Sequence, residues 1–271
     1  PIHMDTKELA WQIRKDCIEM HHKSGNSHIG SCLSIADIVA VLYNDIMRVF
    51  PSEPKHPDRD RFILSKGHAG TAVYSVLARL GFFPTEVLMT QCANGSKLSG
   101  HVSHWDVPGV ELSTGSLGMG LSVGAGMAIA AKRSEKKHRV FVIVGDGECG
   151  EGAVWEAAMF AGQNKLDNLT VIVDNNNLQA NDYCENVLSW RNMGAMWESF
   201  GWHVIEVNGH DIGALQTALA FQHGVKPVCV LAHTVKGKGI SFMENEKIWH
   251  HLSPQGEDYV RAIRELEEQK P

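Results

Sequence analysis

The sequence predicts an α/β protein in which a parallel sheet carries helices over both faces. Three observations predict it. RVFVIV (139–144) and LTVIV (169–173) are apolar without alternation, as strands buried on both faces are. Helical patterns stand between the strand candidates, the rhythm of crossover units. A chain of 271 residues, 44% hydrophobic and 21% charged, buries a full core and is too apolar for disorder.

The elements follow in order. Residues 5–23 read as a helix with Leu9, Ile13, Cys17 and Met20 on one face. A Gly/Ser/His loop runs from Ser24 to Ser34. Residues 35–50 form a second amphipathic helix, with Ile35, Ile38, Val39, Leu42 and Ile46 inward. Pro51 to Arg61 is a polar connection containing prolines. A short strand, Phe62 to Leu64, leads into Ser65-Lys66-Gly67-His68, and residues 70–82 read as a helix closed by Gly81. Residues 91–116 are weakly patterned, and a small-residue helix spans 119–132. Strand 139–144, helix 152–164, strand 169–173, helix 192–200, strand 203–207, helix 212–222 and strand 227–233 complete the alternation. The last 30 residues are an extension ending in a charged helix. No linker divides the chain, so a single domain over 5–271 is expected, with residues 1–4 set aside as a tag remnant.

Composition excludes several functions. Lys+Arg 25 against Asp+Glu 31 gives a net charge of −6, which argues against nucleic-acid and polybasic membrane binding. No apolar run reaches the roughly 18 residues of a transmembrane helix. Six cysteines with no CxxC read as buried free thiols of a reducing, cytoplasmic compartment, and as neither a disulfide framework nor a zinc site. Glycine and histidine are frequent, 26 and 15, and often adjacent. That suits a site built from loops around a ligand, and equally suits chance in a histidine-rich chain.

Ligands of open α/β sheets collect at the carboxyl ends of the strands. After RVFVIV comes Gly145-Asp146-Gly147-Glu148, and after LTVIV comes Asp174-Asn175-Asn176-Asn177. Adjacent strands place Asp146 and Asn176, 30 residues apart, at one rim. A carboxylate and an amide oxygen are hard donors suited to Mg2+ or Ca2+. Gly145 and Gly147 admit a bulky anion close to the backbone, beside a helix start. Singly, each piece reads as an ordinary turn or cap. After two consecutive buried strands, the cation–diphosphate reading is favoured.

GDGECGEGAVWEAAMFAGQNKLDNLTVIVDNNN resembles the thiamine-diphosphate motif in its transketolase form. SGNSHIGSCLS, LSKGHAGTAVYSVLARLG, SGHVSHWDVPGVELSTGSLGMGLSVGAGMAIAAK and HTVKGKGISFMENEKIWHH agree in order, over nearly the whole chain. The resemblance implies the thiamine-diphosphate-binding fold of the diphosphate (PP) domain, roughly the first third of a full transketolase. It implies Asp146, Asn176 and the Leu178 carbonyl as metal ligands. It puts His68, Gly115, Leu117, Gly145, Asp146, Gly147, Glu148, Asn176 and His250 against thiamine diphosphate. It makes His28, His68, His101 and His250 the catalytic histidines of the sugar channel, suited by neutral-pH titration to exchanging protons with hydroxyls. Glu151 and Glu156 match acids that reach across a subunit interface. Lys236 and Lys238 read either as a phosphate-facing pair or as a solvated loop.

His21, His22, His56, His138 and His223 are expected to be satisfied or solvent-exposed side chains. His104, His203 and His210 stay open, and His233, ending a strand at the rim, is a candidate neighbour of the diphosphate. The chain departs from the family at Ser27-His28-Ile29-Gly30, where Gly-His-Pro-Gly is common, and at His251, where glycine is common. The glutamate and aromatic group that activate the cofactor belong to a second domain for which 271 residues leave no room. The implied protein is therefore the N-terminal subunit of a split transketolase. Its partner is a C-terminal subunit in a two-plus-two heterotetramer, and it transfers a two-carbon ketol unit between sugars or sugar phosphates. A piece of a longer enzyme is the trivial alternative. A deoxyxylulose-phosphate synthase-like or keto-acid dehydrogenase subunit, or an inactive cofactor-binding scaffold, are the rival functions.

Overall fold

The structure is a computed structural model and describes residues 4–271. Residues 1–3 of the expected tag remnant lie outside the described residues. Five strands form one parallel sheet: β1 (Arg61–Leu64), β2 (Val140–Gly145), β3 (Leu169–Asn175), β4 (His203–Asn208) and β5 (Val228–His233), in the order β1-β2-β3-β5-β4. Successive side chains point to opposite faces. Phe141 and Ile143 of β2 and Ile172 of β3 therefore join one core, and Val142, Val144, Val171 and Val173 join the other. Each such fully buried aliphatic side chain contributes about 1.5–3 kcal/mol.

The first face is covered by α1 (Thr6–Ser24), α2 (Ile29–Ser34), α3 (Ala36–Val41), α4 (Gly70–Arg79), α9 (Ile212–Ala220) and α10 (Gly256–Glu268). The second is covered by α5 (Gly120–Arg133), α6 (Gly152–Gln163) and α8 (Met193–Ser199). A single turn, α7 (Cys184–Val187), lies between β3 and α8. Asp5 caps α1, its carboxylate accepting from the N–H groups of Lys7 and Glu8, and Gly25 ends it at φ 68°.

In place of the expected loop to Ser34 and single helix over 35–50, residues 29–46 form three helical pieces and 47–50 are not helical. α2 begins within the expected loop, breaks at Ile35 (φ −104°, ψ 3°) and resumes as α3, which closes in a π-helical turn, Leu42–Ile46. The cause is burial. Every residue of IGSCLS is buried, and Gly30 lies so close to the chain that a Cβ there would stand 3.2 Å from Lys236 Cγ. Such packing overrides local preference. Two smaller corrections follow. β4 is a half-exposed edge strand, with the polar residues His203, Glu206 and Asn208 among its apolar ones. Cys92 is exposed, unlike the other five cysteines, because it sits in the irregular segment after α4.

Candidate active site

The carboxyl ends of β1, β2, β3 and β5 open onto a cavity of about 350 Å³. All twelve residues predicted for the site line it: His28, His68, His101, Gly115, Leu117, Gly145, Asp146, Gly147, Glu148, Asn176, Leu178 and His250. They reach it from separate elements. His28 starts α2 in a left-handed conformation (φ 79°), and its backbone N–H donates to the His250 carbonyl at 3.0 Å, tying two of the four histidines together. His68 lies in the turn after β1, His101 and Gly115 on the irregular segment, and His250 on a 3-10 turn, Lys247–His250. A Cβ at Gly115 would stand 3.2 Å from the His101 ring, so glycine lets that ring lie close against the backbone. The ring centre of His28 lies 5.1 Å from that of His68, 5.5 Å from His101 and 4.8 Å from His250.

Burial lowers the pKa of His28 to about 4 and of His250 to about 3, and that of His68 well below its ordinary value. Nearby lysines and neighbouring imidazoles add to the effect. These three rings are neutral at pH 7. The Lys236 ammonium lies 3.0 Å from His250 Nδ1, so Nδ1 accepts and the ring proton sits on Nε2.

The floor is acidic and basic at once. Lys66 and Asp174 form a buried ion pair of 2.5 Å, and Asp174 also accepts from the hydroxyls of Ser34 (2.7 Å) and Thr234 (2.5 Å). Asp146 is 2% exposed and has no cationic partner in hydrogen-bond contact among the described residues. Its oxygens accept from the N–H groups of Gly147 (2.7 Å) and Asn177 (2.5 Å). Burial and the charge of Asp174 raise its pKa to about 6. The Asn176 amide donates to Ser34 Oγ at 3.2 Å, and its oxygen accepts from the Leu178 N–H at 3.0 Å. Asn177 turns the chain there in a left-handed conformation, φ 60°. Glu148 is in the wall, but both its oxygens are engaged, by the Ser65 hydroxyl and the N–H groups of Gly118 and Gly145. It ties three loops together.

No cluster of three His, Cys, Asp or Glu able to hold a metal occurs among the described residues. The predicted donor set is of another kind: one carboxylate, one amide oxygen and one backbone carbonyl. It fits a hard divalent cation, because the raised pKa of Asp146 marks a buried negative charge lacking a positive neighbour in contact. Lys236 is the converse. It is 3% exposed, makes no ion pair among the described residues, and contacts only the Gln179 carbonyl (3.2 Å) and His250. Burial and the charge of Lys66 lower its pKa to about 8. A buried, unpaired ammonium facing a cavity fits an anionic group.

Sequence reasoning missed Ser31, Lys66, Asp174, Gln179 and Ala180, which also line the cavity. Lys66 and Asp174 carried a signal, since each ends or follows a strand at the rim. Lys236 and Lys238 divide: the second points away and pairs with Glu244 at 3.3 Å. His233 is exposed and bonded to Glu206 at 2.9 Å, outside the cavity, because alternation along β5 turns it away from the rim's interior. His251 is exposed beside His250 and does not line the cavity. Glu151 lines the edge and Glu156 is exposed on α6. His21 is satisfied by two carbonyls, of Cys17 (2.7 Å) and Ser27 (3.0 Å). His138 departs from expectation: its Nδ1 is buried without a partner. Of the open cases, His104 bonds Ser113, His203 stacks on Phe221, and His210 bridges Asp37 and the Val235 N–H.

A parallel α/β sheet whose rim brings oxygen donors beside a buried ammonium suits the class of domains that hold the diphosphate of a cofactor. Comparison with known proteins says which. The family model described as transketolase, thiamine diphosphate binding domain, matches residues 5–270, so the chain belongs to the transketolase family. It is 45% identical to one of the subunits of the apulose-4-phosphate transketolase of Phocaeicola vulgatus, over 98% of this chain and 95% of that one. It is 38% identical to the 6-deoxy-6-sulfo-D-fructose transketolase subunit SqwG of a Clostridium, over 98% of each. The solved transketolase of Campylobacter jejuni superposes with a TM-score of 0.90 at 30% identity, covering 98% of this chain and 43% of its own. The chain thus spans about two fifths of that enzyme, and the expected α/β fold, family and cofactor-binding domain are borne out. No helix of the described residues is long and apolar enough to cross a membrane.

Proposed function

We propose that this chain is the diphosphate-binding subunit of a two-subunit transketolase, transferring a two-carbon ketol unit from a ketose to an aldose. Four histidine rings converging over a cavity whose floor carries Asp146, Asn176 and Lys236 are the observation that carries the reading. Thiamine diphosphate, when bound, supplies a carbanion and an electron sink. Asp146, Asn176 and the Leu178 carbonyl would hold its Mg2+ or Ca2+, and Lys236 would meet a diphosphate oxygen. The loop Gly145 to Glu148 brings the backbone close to that group, and Gly115 and Leu117 line the wall beside it.

The histidines handle the sugar. His28, His68 and His250 are neutral at pH 7, so each ring offers one N–H donor and one acceptor to a hydroxyl. His250, with its proton on Nε2, can donate a hydrogen bond to an oxygen on which charge develops. His101 stands at the exposed mouth. The rest of the pocket belongs to a partner chain in a two-plus-two assembly. Two relatives of matching length are named as subunits, which supports this division. A cytoplasmic setting suits the cysteines.

The test mixes the chain with its cognate C-terminal subunit, thiamine diphosphate and Mg2+, and follows ketol transfer. Donors are xylulose 5-phosphate, apulose 4-phosphate and 6-deoxy-6-sulfofructose, the last two taken from the relatives' names. Activity on mixing, with one donor preferred, is expected. The Asp146→Ala variant should weaken thiamine diphosphate binding about a hundredfold in a calorimetric titration while keeping its fold. No activity on mixing with any donor would sink the proposal.

A further inference from the structure

Lys236 projects into the cavity from a short turn after β5, and no acid among the described residues pairs with it. Its ammonium meets only the Gln179 carbonyl and His250 Nδ1, so the backbone of the turn also sets its position. The Asn245 N–H donates to the Lys236 carbonyl itself at 2.8 Å, and the backbone between Val235 and Lys238 is held at three further points. The Val235 N–H donates to His210 Nε2 at 2.8 Å. The Lys238 carbonyl accepts from Arg14 Nε at 3.1 Å. The Gly237 N–H donates to the Gly30 carbonyl at 3.0 Å. The first two points share one anchor. Asp37, on α3, accepts from both terminal nitrogens of Arg14 (3.1 and 2.5 Å) and from His210 Nδ1 (2.8 Å).

We propose that Arg14, Asp37 and His210 are positioning residues, a strut from α1 and α3 that sets Lys236 in the cavity and through it the affinity for a diphosphate. The proposal rests on the function proposed above. Its parts are chemically constrained. A backbone N–H can only donate, so His210 Nε2 must be the acceptor and the ring proton must sit on Nδ1, facing Asp37. One imidazole tautomer therefore relays the position of a carboxylate to a backbone amide. Burial alone would raise the Asp37 carboxyl, but Arg14 and His210 hold it well below the usual carboxylate range. It stays an anion able to serve both partners. Glycine fits the geometry as well. Gly239 sits at φ 98°, and a Cβ there would stand 3.1 Å from Arg14 Cδ, so the turn lies directly on the arginine. No residue of the strut lines the cavity. Its effect on a ligand passes through Lys236.

The test is a double-mutant cycle on the full chain with its C-terminal partner, read as the Kd for thiamine diphosphate with Mg2+. Lys236→Met should weaken binding about tenfold, the loss of one charge-assisted contact. His210→Leu should weaken it several-fold, and His210→Gln, which keeps an acceptor near the Nε2 position, should recover most of that loss. The variant carrying both Lys236→Met and His210→Leu should bind like Lys236→Met alone, since the strut then has nothing to position. Multiplying effects, or a His210→Leu chain that binds like the parent, would overturn the strut and leave the cofactor reading intact. A parent complex that binds no thiamine diphosphate overturns both. The parent also gives a reading free of folding defects: long-range 1H–15N spectra should show His210 protonated on Nδ1 only. A proton on Nε2 refutes the relay.

Discussion

Replacing Lys66 by methionine isolates the ion pair at the base of the cavity. The Lys66 side chain is 3% exposed and that of Asp174 is 0% exposed, so water cannot take over when the ammonium is lost. Methionine keeps the volume and removes the charge. Breaking a buried pair by deleting one partner costs about 3–5 kcal/mol, because the remaining ion is left uncompensated. Asp174 keeps its bonds from Ser34 and Thr234, which puts the expected loss at the lower end, about 3 kcal/mol. For a chain of this size, about 2–4 °C of melting temperature accompanies each kcal/mol, so a fall of roughly 6–12 °C is expected by circular dichroism. The second variant, Lys66→Met with Asp174→Asn, removes both charges and keeps an oxygen for the two hydroxyls. It should return to within about 2 kcal/mol of the parent. Thiamine diphosphate affinity should stay low in both, because Lys66 also lines the cavity. A single variant as stable as the parent, or a double variant no better than the single, would refute this account of the pair.

Two further outcomes are expected. The pKa values of His28 and His250 are lowered to about 4 and about 3 in the folded chain, against about 6.5 unfolded. As pH falls below about 6.5 the unfolded chain takes up protons that the folded rings refuse, so stability drops towards about pH 4. The urea midpoint should fall over that window, and less steeply in a His28→Asn, His250→Asn chain; an unchanged slope would count against burial as the cause. Gly67→Ala places a Cβ 2.3 Å from the Thr114 carbonyl oxygen. It should destabilise by about 2 kcal/mol and weaken cofactor binding as the segment carrying His101 and Gly115 lifts away. Parent-like denaturation and binding would show that this close approach is dispensable.

The rim was legible because its residues follow buried strands directly. An apolar run ending in Gly-Asp-Gly-Glu or Asp-Asn-Asn-Asn places those side chains at the sheet's carboxyl edge whatever surrounds them. Asp146 and Asn176 needed only the adjacency of β2 and β3, which consecutive crossovers favour. Lys66 and Asp174 occupied equally legible positions, but their pairing was not visible. It depends on the order β1-β2-β3, which places a turn after β1 within reach of the end of β3. His233 shows the opposite limit. It stands at the rim in sequence, yet the parity of β5 directs it outward to Glu206.

Apart from the family, which the motifs carry by resemblance, what the amino-acid order determined by itself is local and periodic: most of the strands and helices, the parallel sheet, and most of the residues that reach the rim. These follow from spacing along one chain. Only the tertiary structure decided that α2 begins at Ile29, that Lys236 enters the cavity while Lys238 leaves it, and that Arg14, Asp37 and His210 meet behind the turn between them. The contacts of Arg14, Asp37 and His210 with one another and with the turn join residues 23 to 224 positions apart. Their geometry is set by how the helices settle on the sheet, and no repeat in the sequence encodes a distance between elements.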